Sequence, residues 1–190
     1  GARRPAALAL GLVLSVTTLD ELFVSRIAVS VPGAVDGALA AALRGRLERA
    51  GYTRYALRDR GSYDVRAHVD EPELFGALIR IASELTGRAL VLAEARALRM
   101  VPGDYLLAHH DAVRDERTVE LILDLSAASV PGAEVHYRRR GKPFFRAPSA
   151  PGVLSIVERD PDVLCNHTYV SKLHAGASIV RLVMLLRDAM

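Results

Sequence analysis

Leu98-Arg99-Met100-Val101-Pro102-Gly103-Asp104-Tyr105-Leu106-Leu107-Ala108-His109-His110-Asp111 decides how the rest of the chain is read. An apolar run enters a Pro-Gly-Asp turn and leaves it as a second apolar run ending in His-x-Asp. Pro fixes its own φ and Gly accepts a positive one, so this is a tight reversal between extended segments. Side chains two apart on a strand share a face. His109 and Asp111 can therefore converge on one point, while His110 faces the other way.

A nitrogen and an oxygen ligand on one face, joined by a second imidazole, make the two-His, one-carboxylate facial triad of non-haem Fe(II) sites. Downstream, His167 and His174 are both candidates for that second imidazole. Taken bare, a His-x-Asp pair reads better as a surface turn than as a metal site, because short motifs recur by chance. The order of the motifs downstream reverses that preference.

With 190 residues, 51% of them hydrophobic, the chain is long and apolar enough to be one domain with a full core, which excludes disorder. Trp is absent and Phe occurs four times, so Leu, Val, Ala and Ile fill the interior. The net charge of +3 sets up no dominant field. The one basic run, Arg138-Arg139-Arg140, reads as a solvated hairpin end rather than a phosphate contact, so no nucleic-acid partner is expected. The single cysteine, Cys165, cannot close an internal disulfide, and a reducing, cytoplasmic setting is the expectation. Although it lies beside Asn166-His167, Cys165 reads as a small buried hydrophobe rather than a ligand. Arg3-Arg4 followed by Ala6 to Val16 imitates a secretory signal, but no small-x-small site follows and the run is too short to span a bilayer. It reads as part of the fold, with no membrane association expected. No pattern fixes an oligomeric state.

In chain order, Leu8 to Val31 suggests one or two strands, broken by Pro32-Gly33. Ala34 to Ala50 carries Leu39, Leu43 and Leu47 at helical spacing with Arg44, Arg46, Glu48 and Arg49 outside, and Gly51 stops it. Tyr52 to Val69 is polar and aromatic and reads as a loop with a turn at Gly61-Ser62. Asp70-Glu71-Pro72 opens a second helix that turns Leu74, Leu78, Ile81 and Leu85 inward and closes at Gly87. From Arg88 the period changes to that of strands: Ala89–Arg99, Arg117–Leu125, Ala133–Tyr137, Pro143–Arg146, Val153–Val157, Val163–His167 and Ser178–Leu186, punctuated by Gly and Pro. This pattern implies an α+β, mainly β protein, in which an antiparallel barrel or jelly roll carries the N-terminal helices on its outside.

The second half, Leu98 to Arg187, resembles the double-stranded β-helix core of the Fe(II)/2-oxoglutarate-dependent dioxygenases, in particular the prolyl-4-hydroxylase-like branch. Gly103-Asp104-Tyr105-Leu106-Leu107-Ala108-His109-His110-Asp111 follows that branch's Gly-Asp-x-Leu-x-x-His-x-Asp pattern. Gly132-Ala133-Glu134-Val135 resembles its Gly-Gly-Glu-Leu strand, and Pro148-Ser149-Ala150-Pro151-Gly152-Val153-Leu154 resembles its Pro-x-x-Gly-x-Leu strand. His167 then precedes an Arg, Arg181, in an apolar strand. The resemblance implies a jelly-roll, cupin-like core in a single domain, with residues 1–97 as N-terminal strands and supporting helices and residues 98–190 as the catalytic core. It implies Fe(II) on His109, Asp111 and His167. It implies 2-oxoglutarate on Arg181, whose fork suits a carboxylate, with Arg99 a second candidate for the co-substrate.

Fe(II), 2-oxoglutarate and O2, with ascorbate as reductant, would then hydroxylate an unactivated C–H of a small molecule or amino-acid-like group, releasing succinate and CO2. The rival readings are a peptidyl prolyl hydroxylase and a non-catalytic cupin-like binding protein. Several departures bear on the site. Arg181 lies 14 residues past His167 and 7 past His174, where the family spacing is about ten, so a long turn at His174–Ala177 is needed for His167 to be the ligand. Asp124-Leu125-Ser126 stands where relatives have Tyr-Leu-Asn. The intact His-x-Asp argues against halogenation, and Val183, where the nucleic-acid-dealkylating branch has Asn, argues against that branch.

Overall fold

The computed structural model describes residues 28–109 and 118–189. Asp111 and the signal-like N-terminal stretch lie outside the described residues. In chain order the elements are β1 (Ala28–Val31), α1 (Gly37–Ala50), β2 (Thr53–Leu57), β3 (Gly61–Arg66), α2 (Pro72–Thr86), β4 (Leu90–Met100), β5 (Tyr105–His109), β6 (Thr118–Asp124), β7 (Val135–Arg139), β8 (Lys142–Ala147), β9 (Leu154–Arg159), β10 (Val163–His167) and β11 (Ile179–Asp188).

Each helix begins and ends where its capping chemistry puts it. Asp36 caps α1, its Oδ1 accepting the Leu39 N–H at 2.7 Å, so the helix starts at Gly37 rather than Ala34. Pro72 opens α2, and Gly87 closes it in the left-handed region.

All strand pairs are antiparallel, in the order β1-β9-β6-β11-β4-β3-β5-β10-β7-β8, with β2 paired on β3. Ala28 of β1 and Ala147 of β8 sit at opposite ends of that order yet share one buried cluster with Ile122, Tyr137, Val157, Cys165 and Val183. Laid flat, nine steps of about 4.8 Å would hold them about 43 Å apart. The sheet therefore curls onto itself, and the cluster is its interior.

Strand alternation then sorts the residues. Along β11, Ile179 and Val183 face inward, whereas Val180, Leu182, Met184 and Leu186 pack outward. That outer layer is covered by Leu43 and Leu47 of α1 and by Leu74, Leu78 and Leu85 of α2. Burial of two leucine stripes, at roughly 1.5–3 kcal/mol per side chain, holds the helices to the sheet.

The architecture is the expected double-stranded β-helix with helices outside. One expectation is corrected. Tyr52 to Val69 is not a loop turning at Gly61-Ser62; it contains the β2–β3 hairpin, which turns at residues 58–60 and is closed by the Arg60 N–H on Leu57 O at 3.1 Å. The Arg138–Arg140 run is the hairpin end anticipated. Arg139 pairs with Asp160 at 2.7 Å and lies over the Phe144 ring, and the exposed Arg140 lies 3.6 Å from Asp162.

Candidate functional site

β5 and β10 are paired strands, and they bring two of the expected ligand positions together. His109 stands opposite Cys165, and Leu106 stands opposite His167. Cys165 and His167 share a face, but Leu106 and His109 are three apart and would fall on opposite faces of a regular strand. The register shift between the two pairs breaks that alternation, so the His109 position stands opposite Cys165, two residues from His167 along β10. Asp111, two residues beyond His109, lies outside the described residues.

His167 is 4% exposed and faces the interior. Its Nδ1 lies 2.9 Å from Nη1 of Arg181. A guanidinium can only donate, so Nδ1 accepts, and a neutral ring then carries its proton on Nε2. Arg181 reaches inward from β11 and is 2% exposed. Its Nη2 donates to the Ala133 carbonyl at 2.7 Å, and its Nε is buried with no partner among the described residues. Burial holds the Arg181 guanidinium below its ordinary pKa, against the opposing pull of the Asp124 charge. Asp124 faces Arg181 across the β6–β11 pair, but its oxygens are taken by the Ser126 and Ala150 N–H groups.

The other expected residues are elsewhere. Arg99 pairs with Asp64 and Val180, one step along from the Leu98–Arg181 pair, and so lies on the opposite face of the sheet. Its Nε and Nη2 donate to Asp64 Oδ2 at 2.8 and 2.7 Å, and its guanidinium lies 4.7 Å from the Tyr52 ring centre. Burial raises the Tyr52 phenol to about 12, with Arg99 working against the shift. The structure thus takes Arg99 away from Arg181 and His167. His174 lines an open cleft of about 400 Å³ with Arg44, Glu48 and Ser129, between α1 and the loops. Cys165 is buried, as expected of a small hydrophobe. Among the described residues no three His, Cys, Asp or Glu side chains gather into a metal-binding group.

Two features were not read from the sequence. Deeper in the barrel, Glu120 accepts from Tyr137 Oη and from Arg159 Nη1, each at 2.5 Å, in a fully buried triad. The signal available was alternation: Glu120 is two residues from inward-facing Ile122. The second is Asp104, a buried carboxylate in the turn before β5. Its place in the Gly-Asp motif was plain, but its partners come from segments distant in sequence.

No family model and no curated protein matches the chain. Solved structures do. The 2-oxoglutarate-Fe(II) oxygenase-family oxidoreductase from Burkholderia pseudomallei is 16% identical with a TM-score of 0.71, covering 93% of this chain and 92% of that one. A prolyl-4-hydroxylase from Pseudomonas putida is 14% identical with a TM-score of 0.70, covering 93% and 100%. The non-haem α-ketoglutarate-dependent epimerase SnoN of nogalamycin biosynthesis is 16% identical with a TM-score of 0.71, covering 92% and 84%. These three proteins match over nearly the whole chain at low identity, and what they share with it is architecture: this chain has the double-stranded β-helix fold of the Fe(II)/2-oxoglutarate oxygenases.

Proposed function

We propose that the chain is a non-haem Fe(II)/2-oxoglutarate-dependent oxygenase that hydroxylates an unactivated C–H of a small molecule or amino-acid-like group. One observation carries most of the weight. Arg181 is a fully buried guanidinium beside an inward-facing imidazole, hydrogen-bonded to no carboxylate among the described residues, with Nε unpartnered. A buried charge in that state is costly to keep, and an incoming carboxylate satisfies it.

The donor set fits the metal. His109 and His167 stand on paired strands within two residues of register, and Asp111 follows His109 in the sequence. Imidazole nitrogen with one carboxylate suits Fe(II) with open positions. Bound there with 2-oxoglutarate and O2, the metal would supply the conversion of C–H to C–OH, with 2-oxoglutarate leaving as succinate and CO2.

The chain's own part follows from the atoms. Arg181 would take the far carboxylate of 2-oxoglutarate with its fork. For His167 to offer Nε2 to a metal, its proton must move to Nδ1, and a protonated Nδ1 can no longer accept from Arg181. The exchange that prepares the ligand therefore also frees Nη1 for the co-substrate. The apolar wall of Val135, Tyr137, Val163 and Val183 keeps water from the site.

The test is succinate release from 2-oxoglutarate under air, with Fe(II) and ascorbate. The native chain should turn over, and His174→Ala should match it. His109→Ala and Arg181→Ala should lose more than the roughly 10–100-fold typical of a second-sphere loss. A native chain that binds neither iron nor 2-oxoglutarate would make the barrel a non-catalytic binding module.

A further inference from the structure

The turn before β5 holds a carboxylate that the metal reading does not use. Asp104 is 2% exposed. Arg54 Nη1 donates to its Oδ2 at 2.7 Å and Nη2 to its Oδ1 at 2.5 Å. Ser62 Oγ donates to Oδ1 at 2.7 Å, and the Val101 N–H to Oδ2 at 3.0 Å. The backbone is engaged as well: Gly103 N–H donates to Val170 O and Val170 N–H to Asp104 O, both at 2.8 Å. One residue therefore ties together β2, β3, the end of β4 and the segment that follows β10.

The arrangement is built from charge. Arg54 also reaches Asp64 at 3.2 Å, and Asp64 is held from its other side by Arg99 at 2.7 Å. Two arginines and two aspartates make a neutral chain along the outer face of the hairpin. A buried carboxylate costs several kcal/mol unless paired, so this one marks a constraint on geometry more than a gain in stability.

What it constrains is the next strand. β5 has little ladder of its own. It meets β3 only at Ser62–Tyr105 and Gly61–Leu106, and it meets β10 through an irregular register. A short strand with a shifted register slips unless something outside the ladder holds it.

We propose that Asp104, held by Arg54, is a positioning residue that fixes the register of β5 between β3 and β10 and so sets where His109 stands relative to His167. The consequence for metal binding rests on the function proposed above; the strand registration does not.

The test uses the full chain in four forms: native, Asp104→Asn, Arg54→Gln and Arg46→Gln. Arg54 sits on an exposed strand, but its loss leaves the buried Asp104 carboxylate without its arginine, so the thermal midpoint of every variant is read beside the exchange. Arg46→Gln breaks an exposed two-bond pair with Glu71 far from β5 and serves as the control. Hydrogen exchange is read at the amides of Gly103, Leu107 and Val170, against that of Leu125 in the other half of the barrel. Both Asp104→Asn and Arg54→Gln should speed exchange at the first three by about tenfold or more beyond any change at Leu125. Arg46→Gln should change none. Exchange within about twofold of native in both variants, or a rise as large at Leu125, overturns the proposal.

A second reading uses Co2+ as the probe, followed by its visible absorption. Arg54→Gln should bind it about 10-fold more weakly and with an altered band, read well below the thermal midpoint of each variant so that folded chains are compared. Loosened exchange with an unaltered Co2+ band and affinity would overturn the positioning role. A native chain that binds no Co2+ would count against the metal site alone, since the exchange result still decides the registration.

Discussion

Two arginines share the barrel interior, and their partners give them different work. Arg159 is 1% exposed, and Glu120 faces it at 2.5 Å. Burial opposes its charge, but the adjacent Glu120 carboxylate overcomes this and lifts its pKa. Tyr137 completes the triad, its phenol pushed up by burial and then by the Glu120 charge. Arg181 has an imidazole and a carbonyl where Arg159 has a carboxylate, and burial wins. A group kept charged against its surroundings is a feature of binding sites more than of scaffolds. Arg159→Met should therefore strand Glu120 as an unpaired buried charge and cost about 3–5 kcal/mol. Arg181→Met leaves behind only a carbonyl and an imidazole nitrogen, about 1–3 kcal/mol. Urea unfolding of the two variants checks the ranking, and an Arg181→Met that is the less stable of the pair would place Arg181 in the scaffold.

At the scale of elements, the hairpin β2–β3 shows why part of the site was hidden in the sequence. Periodicity finds both helices and the strands with buried faces, because burial imposes a period. Thr53–Leu57 has every residue exposed, so nothing in it alternates between core and solvent. Gly61 reads as a turn residue, yet it lies in β3 because of an approach that no local pattern records. A Cβ on Gly61 would stand 2.0 Å from Tyr105 O and 2.8 Å from its carbonyl carbon, at a φ of +118°. Backbone meets backbone there, in the same junction that Asp104 holds. Gly61→Ala should cost about 2–5 kcal/mol, combining strain with displacement of β5. Gly33, at φ +65° with nothing within 4 Å of where a Cβ would stand, provides the comparison. Its alanine variant should cost only about 1–2 kcal/mol for the left-handed backbone. Equal losses in denaturant unfolding would mean that β5 yields without effect.

For the whole molecule, the legible parts and the hidden parts divide by distance along the chain. The order of Gly-Asp, His-x-Asp, His167 and Arg181 was readable because each lies in or beside an apolar run of the sequence. The sequence itself preferred His167 to His174, whereas separating Arg99 from Arg181 required knowing which face of the sheet each occupies. Asp104 required more, since its partners Arg54 and Ser62 lie 50 and 42 residues away. That long-range closure makes the acid stability of the whole fold a test of one carboxylate. Burial alone would raise the Asp104 pKa, but Arg54, the Val101 N–H and Ser62 together hold it below the ordinary 3.8. A pKa lower in the folded chain than in the unfolded one means that the stability Asp104 contributes is fully present above pH 3.8 and is lost as pH falls through the folded value. Asp188, lowered by its hydrogen bonds with Arg88, acts in the same direction at the far end of β11 and is unchanged by mutation at 104. Asp104→Asn should therefore unfold at lower urea than the native chain at pH 7, and the gap should narrow as the pH is taken below 3.8. A gap that stays constant down the acid limb would show that Asp104 is held by its shape and not by its charge, and would remove Arg54 from the clamp.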